Sequence, residues 1–510
     1  MTKLRIIATS DIHGYIHPSD YREKGAHAPL GLSRIATAIK DYRDKGPVLL
    51  LDNGDAFQGS PLLMYYHDHP NRYNNPIAQA FNYLNYDYIN LGNHDFNYGP
   101  ARLETFIKEN NAPLLTSNIK INGEVVGQSE IIEIENKKIA LIGVTTHYIP
   151  NWERPDHIRH MSFADAYESM KSEVFRLKDS VDIVIGMYHG GFEKDLETGE
   201  PTETLTGENQ GYLMADIEGL DILITGHQHR SIAGFLHGTA VTQTAFKAQE
   251  FALIELDLET KEIKPQLIDA GHYEPDTELL KHFSDLEAAT QVWLDQEIGY
   301  LCDGDLLIED EFAARKQKHP LISLLNQIQM DKTGSQLSSN AMFNQAKGFS
   351  QRITMRDLVN TYPYPNTLVK KEIDGKNLKL MLERTAEYFT LDAQGNIAIA
   401  ENYFTPKPQH YNYDMFDGID YTIDVAQPIG KRIVALTYQG KPVQDEDTFT
   451  ITVNNYRASG GGKYEMVKEA KTLESYQEDM VEIMMDYFKR HPKVKVDHKN
   501  NITLINSNKK

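Results

Sequence analysis

From residue 1 to about 257, short continuous apolar runs alternate with amphipathic ones. The runs 4–10, 47–51, 88–91, 138–144, 181–188 and 220–224 predict buried strands. Segments 32–43, 77–84 and 163–177 carry helical periodicity between them. This alternation predicts an α/β domain whose strands are covered on both faces. Segments 128–134 and 249–258 read as antiparallel additions.

From about 274 to 297 the pattern becomes that of one polar amphipathic helix, which reads as a linker. A different composition, rich in Tyr and Asn, fills 298–510. There, helical patterns at 321–330 and 375–389 alternate with strand patterns at 367–373, 421–425, 433–437 and 449–453, an α+β arrangement. The tail from 493 is mostly polar and predicts a short edge strand or two. The expected domains are therefore 1–273, a linker helix at 274–297, and 298–510.

Polar residues gather where the strands of the first domain end. Asp11 and His13 follow the first run, Asp55 the second and Asn93-His94 the third; His189 ends the run at 181–188, and His227 and His229 follow 220–224. Any one of these alone reads as a cap or a turn residue. Their recurrence at the same end of successive strands, flanked by Gly, reads as a ligand site, because open α/β sheets bind at that end.

Composition narrows the chemistry. With 510 residues the chain is long enough for two domains with sizeable cores, and 40% hydrophobic with 25% charged residues is ordinary for a soluble protein. A net charge of -21 is a poor match for polymeric nucleic acid or an anionic membrane. A small anionic substrate remains compatible where cations neutralise the site. The single cysteine, Cys302, excludes an intrachain disulfide and fits a reducing compartment. No secretory signal and no apolar stretch of about 18 residues is read, so the expected location is the cytoplasm.

The donor set Asp11, His13, Asp55, Asn93, His189, His227 and His229 is mixed nitrogen and oxygen without thiolate, which suits Mn, Zn, Fe or Ni. Seven donors are too many for one ion. They suit two divalent ions sharing a carboxylate, a pair that clamps a phosphate ester and holds a hydroxide nucleophile between the metals.

The blocks Asp11-x-His13, Gly54-Asp55, Gly92-Asn93-His94, His189-Gly190 and Gly226-His227-x-His229 resemble, in order, the signature of the calcineurin-like dinuclear metallophosphoesterases. The resemblance implies a four-layer α/β sandwich for the first domain. It implies one metal on Asp11, His13, Asp55 and His229, and the other on the bridging Asp55, Asn93, His189 and His227. It makes His94 the substrate-facing histidine, which stabilises developing charge and protonates the leaving oxygen. Secreted 5′-nucleotidases of this kind carry an Asp three residues after that His; here the position is Asn97, with Asp95 as an alternative orienter.

The second domain resembles the C-terminal domain of nucleotidases, nearest to the 2′,3′-cyclic-nucleotide 2′-phosphodiesterase/3′-nucleotidase group. The blocks that carry this are Tyr362-Pro363-Tyr364-Pro365-Asn366, Tyr411-Asn412-Tyr413-Asp414 and Asn454-Asn455-Tyr456 running into Gly460-Gly461-Gly462. The resemblance implies that Tyr364 and Tyr456 sandwich a nucleoside base, that Asn366 bonds a base edge, and that backbone at Gly461 approaches the ligand. The Arg-bearing block of 5′-nucleotidases is replaced by a segment beginning Ser338-Ser339-Asn340, which makes Asn340 a substrate contact. The expected activity is hydrolysis of 2′,3′-cyclic nucleotides to 3′-nucleotides, and of these to nucleoside and phosphate. A 5′-nucleotidase or UDP-sugar hydrolase is the rival, and a non-catalytic nucleotide-binding module the remote one.

Overall fold

In the computed structural model the first strand, Lys3–Thr9 (β1), runs parallel to Val48–Asp52 (β2), which in turn runs parallel to Tyr88–Ile89 (β3). The residues described are 3–69, 71–151, 153–203, 205–344, 346–362, 364, 366–404 and 408–509; Pro363 and Pro365 of the tyrosine block lie outside them. The chain forms two compact units, Met1–Trp293 and Leu294–Lys510.

The first unit continues with Glu130–Ile134 (β4), Lys137–Thr145 (β5), Ile183–His189 (β6), Ile222–Thr225 (β7), Ile232–Leu236 (β8), Thr239–Gln243 (β9), Glu250–Asp257 (β10) and Ile263–Asp269 (β11). These strands make two sheets, with orders β11-β10-β1-β2-β3 and β8-β9-β7-β6-β5-β4. Strands β4 and β10, expected as antiparallel additions, pair antiparallel with β5 and β1.

The apolar runs are buried on both faces because the two sheets pack on each other. Leu4, Ile6, Leu49 and Leu51 of one sheet share a core with Ile139, Leu141, Ile185, Met187 and Ile224 of the other. Each such side chain contributes about 1.5–3 kcal/mol by leaving water. Helices take the outer faces. Tyr42 of Leu32–Arg43 (α1) meets Phe251 of β10 at 6.3 Å, and Met170 and Val174 of Ala166–Leu177 (α2) pack with Ile142 and Val184. Helix, sheet, sheet and helix form the expected four layers.

The expected single helix over 274–297 is two helices, Thr277–His282 (α3) and Ser284–Leu294 (α4). Asp276 caps the first, its side chain accepting Leu279 N–H at 2.9 Å, and the same carboxylate pairs with Lys40 of α1. Phe283 leaves the helical register (φ -111°, ψ 7°) and buries its ring at 5% exposure. Burying Phe283 breaks the periodicity that a single exposed helix would keep. Trp293, in the last turn of α4, lies 6.0 Å from the Tyr65 ring.

The second unit centres on five strands, Leu337–Ala341 (β12), Leu368–Asp374 (β13), Asp414–Asp417 (β14), Thr448–Asn454 (β15) and Lys471–Ser475 (β16), in the order β14-β12-β15-β13-β16. Pro320–Thr333 packs on them, with Pro at its first turn and Gly334 in the left-handed region (φ 62°) at its end. In the tail, Ile502–Ile505 pairs in parallel with Asp420–Asp424 as an edge strand. Among the described residues no helix is long and apolar enough to cross a membrane.

Candidate functional site

Pairing between β1 and β2 continues past the strand ends. Asp11 N–H donates to the Gly54 carbonyl at 2.9 Å, His13 N–H to Asp55 at 3.0 Å and Gly14 N–H to Ala56 at 2.8 Å. Two loops are thereby zipped together, which brings Asp11, His13 and Asp55 to one place. Asp11, His13, Asp55, His227 and His229 all lie in the left-handed region, with φ of 55°, 49°, 54°, 71° and 56°. Non-glycine residues there cost about 1–3 kcal/mol each and cluster at functional sites.

The expected donors converge in two groups. Asp11, His13 and His229 place one donor atom each within 4.8 Å of one another, and so do Asp55, His189 and His227. The groups adjoin: His189 Nε2 lies 3.1 Å from Asp55 Oδ2 and 4.0 Å from Asp11 Oδ1. Asn93 Oδ1 meets His227 Nδ1 at 2.8 Å. Asp11, Asp55 and His189 are at most 1% exposed.

The donor chemistry fits divalent cations. His13 Nδ1 and His189 Nδ1 face the carbonyl oxygens of Gln58 and Asn53 at 2.8 and 2.7 Å. A carbonyl only accepts, so each Nδ1 carries a proton and each Nε2 is the nitrogen that faces inward, free to act as a donor atom to a cation. Asp55 Oδ2 and His189 Nε2 are buried without a hydrogen-bond partner. Burial opposes charge on His189, yet the Asp55 and Asp11 carboxylates outweigh it and raise it to about 10. Burial, and then His229, holds His13 down at about 3. Burial opposes the Asp55 anion as well, but His189 and His94 outweigh it and hold the carboxyl well below its usual range. The cluster thus favours anionic carboxylates around a positive centre.

His94 sits beside this cluster, its ring 5.5 Å from that of His13 and its backbone N–H donating to Asp55 Oδ1 at 2.7 Å. Its orienting partner is Asn97, whose Oδ1 lies 2.7 Å from Nδ1. Asp95 does not take that part. Its carboxylate accepts the backbone N–H groups of Asp55, Ala56, Phe57 and Gly92 at 2.8–3.3 Å, so it braces the loops.

The second unit holds the remaining expected residues. Tyr364 and Tyr456 are unusually open for aromatics, 46% and 41% exposed. Tyr364 packs on Phe343 at 4.9 Å and Tyr456 on Tyr411 at 6.5 Å. Asn455 N–H donates to the Thr367 carbonyl at 3.0 Å, which sets the two tyrosine blocks side by side at the ends of β13 and β15. A Cβ on Gly461 would lie 2.5 Å from the Tyr456 ring, so only glycine fits against that face. Asn340 is 2% exposed and neither side-chain polar atom has a partner. Asn366, half-buried, donates its backbone N–H to the Tyr364 carbonyl at 2.8 Å.

Three contributors had not been expected. Glu208 Oε1 lies 3.1 Å from His227 Nε2 and directs the other ring nitrogen at Asn93. Ser10 donates to Asp11 Oδ2 at 2.6 Å; its position beside Asp11 was the only signal of that. Arg457, fully buried, clasps Asp414 through two bonds of 2.9 and 2.7 Å and donates to the Gly461 carbonyl at 2.5 Å, pinning the glycine turn. Nothing in the spacing pointed to Glu208.

Residues 4–231 match the calcineurin-like phosphoesterase family, and residues 300–469 match the 5′-nucleotidase C-terminal domain. A Staphylococcus aureus crystal structure, provisionally a 5′-nucleotidase and solved with α-ketoglutarate, is 34% identical with a TM-score of 0.77, covering 99% of this chain and 100% of that one. The 2′,3′-cyclic-nucleotide 2′-phosphodiesterase/3′-nucleotidase of Haemophilus influenzae is 27% identical, across 95% of this chain and 84% of its own length. The trifunctional nucleotide phosphoesterase of Bacillus subtilis is also 27% identical, but the match covers only 38% of its length. The chain belongs to the calcineurin-like phosphoesterases that carry a 5′-nucleotidase C-terminal domain. It is a hydrolase of the metallophosphoesterase and nucleotidase kind, a family that works with divalent metal ions.

Proposed function

We propose that the protein hydrolyses 2′,3′-cyclic nucleotides to 3′-nucleotides, and 3′-nucleotides to nucleoside and phosphate. The observation that carries the reading is the pair of adjoining donor groups with His94 beside them. Two divalent ions, when bound, offset the charge of the phosphoryl group and acidify water. Asp11, His13, Asp55 and His229 would hold one, and Asp55, Asn93, His189 and His227 the other. His94, steadied by Asn97, hydrogen-bonds the phosphoryl oxygens and passes a proton to the leaving oxygen. Water adds to phosphorus in line with the 2′ oxygen, the P–O2′ bond breaks, and a 3′-phosphate remains. In a second round the 3′ oxygen leaves.

In the second unit, Tyr364 and Tyr456 stack on the base, Asn366 bonds its edge, and Asn340 contacts the nucleoside through its two unpartnered polar atoms. Stacking is worth about 1–3 kcal/mol per base and tolerates every base. Replacement of the expected Asp by Asn97, and of the Arg block by 338–348, favours this branch. The similarity to a cyclic-nucleotide phosphodiesterase over 95% of the chain supports it.

The second reading, 5′-nucleotidase, is favoured by the 34% identity to the Staphylococcus aureus structure. Purified protein with Mn²⁺ is assayed on 2′,3′-cAMP, 3′-AMP, 5′-AMP and UDP-glucose. The first two should be hydrolysed fastest. Faster turnover of 5′-AMP than of both would overturn the choice.

A further inference from the structure

The His94 imidazole ends a longer chain of hydrogen bonds. Asn97 Oδ1 meets its Nδ1 at 2.7 Å, Asn97 Nδ2 donates to Glu153 Oε2 at 2.7 Å, and Glu153 Oε1 meets His157 Nδ1 at 2.9 Å. Glu153 comes from a separate segment, after the short turn Ile149–Asn151, and its side chain is 1% exposed. The backbone N–H of Arg154 donates to the same Oε1 at 2.8 Å. His157 packs on Gly99, where a Cβ would lie 3.3 Å from its ring.

A carboxylate only accepts hydrogen bonds. The Asn97 amide therefore has one workable orientation, with NH₂ towards Glu153 and its carbonyl towards His94. That carbonyl can only accept, so Nδ1 of His94 keeps its proton throughout, and Nε2 is the nitrogen that faces substrate and whose proton passes to the leaving oxygen. A flipped amide would donate to Nδ1 and lock the opposite tautomer. We propose that Glu153 is a positioning residue for His94, acting through Asn97, and that the Asn97–Glu153 pair stands in for a carboxylate placed directly on the ring. The proposal rests on the reading of His94 as the group that faces substrate.

The polarity of the pair makes the test specific. In Glu153→Gln, an amide that gives its oxygen to His157 and Arg154 turns NH₂ against the Asn97 NH₂. In Asn97→Asp, two carboxylates oppose each other at hydrogen-bond distance. In the double variant the amide introduced by Glu153→Gln donates to the carboxylate introduced by Asn97→Asp. That carboxylate still accepts from His94, so the bond between positions 97 and 153 is remade with donor and acceptor exchanged while the others keep their direction. The four proteins are assayed with Mn²⁺ on 3′-AMP or 5′-AMP, whichever the wild type turns over faster, because an alkoxide leaving group needs the proton that His94 supplies. Each single variant should lower kcat roughly 10- to 100-fold with KM little changed, the range for lost outer partners of a site histidine. The double variant should recover most of that loss. ¹⁵N spectra of histidine-labelled protein should show the Nδ1–H tautomer of His94 in the wild type and its loss in Glu153→Gln. Wild-type kcat in Glu153→Gln, or a double variant no faster than the slower single one, would overturn the proposal. On a His94→Ala background Glu153→Gln should change nothing further. If His94→Ala itself keeps full turnover, it is the reading of His94 that fails.

Discussion

The residues proposed to hold the metals keep an unfavourable backbone because their neighbours fix it. Asp11 sits at φ 55° while its N–H donates to Gly54, its carbonyl accepts from Lys247 at 2.8 Å, and its carboxylate accepts from Ser10 and from His227 N–H. These bonds hold the carboxylate from several sides, the kind of support that keeps a ligating group within about half an ångström of its place. A different histidine shows what burial does without carboxylate partners. His67 stacks on Tyr98 at 3.4 Å, and Nε2 meets the Phe57 carbonyl at 3.2 Å. The residue is half-buried, but Nδ1 is fully buried with no partner. Burial lowers its pKa from 6.5 to about 3. The folded state keeps His67 neutral while the unfolded chain takes up a proton below pH 6.5. The stability it contributes is therefore complete above pH 6.5 and is lost as pH falls towards 3. From pH 7 to 5 that loss is about 1–2 kcal/mol. Urea midpoints at both pH values should fall less for His67→Phe than for the wild type. An equal fall in both would show that His67 is not the group responsible.

At the scale of elements, the convergence of the strand-end donors was legible because each follows a continuous apolar run and is followed or preceded by Gly. The presence of two sheets was not legible in the strand pattern itself, since a strand buried between sheet and helix looks the same as one buried between two helices. Nor was the part played by loops. Glu208 and Glu153 reach the site from segments with no periodic pattern, and Asp95 was indistinguishable from Asn97 until the fold showed which one faced the ring. Met480–Arg490 was also overlooked, although Asp479 and Glu482 form a capping box ahead of buried Met480, Ile483, Met484 and Phe488. The loop after β2 shows how closely these elements pack. Gly54 has φ 95°, and a Cβ there would lie 2.2 Å from Gly92 N and 2.5 Å from Leu91 C. Gly123 has φ 88° and nothing within 4 Å. Alanine at Gly123 should cost about 1 kcal/mol of conformational strain alone. Alanine at Gly54 should cost several times more and lower the metal bound per chain, because it parts the Asp55 loop from the Asn93 loop. Equal unfolding free energies for the two variants, with full metal content by plasma mass spectrometry in both, would show that the close approach is unimportant.

At the scale of the whole molecule, charge and architecture divide unevenly. Both metal-type donor groups among the described residues lie in the first unit. Their carboxylates are buried in a protein that already carries a net charge of -21. Burying anions without matching cations is costly, so binding ions should stabilise this unit more than the second. At a free metal concentration of 100 times Kd the gain is about 2.7 kcal/mol, which in a unit of this size raises Tm by roughly 4–5 °C. The chain offers a convenient reporter. It has only two tryptophans, Trp152 and Trp293, and both belong to the first unit, whereas tyrosines occur throughout. Calorimetry should resolve two transitions. Chelation should lower one of them, the one that coincides with the change in tryptophan emission, and added Mn²⁺ should restore it. The other, followed by tyrosine near-ultraviolet dichroism, should not move. A chelator that left the tryptophan-reported midpoint in place would remove the ions from any part in holding the first unit together. One that lowered both transitions equally would mean that the two units unfold as a single cooperative body.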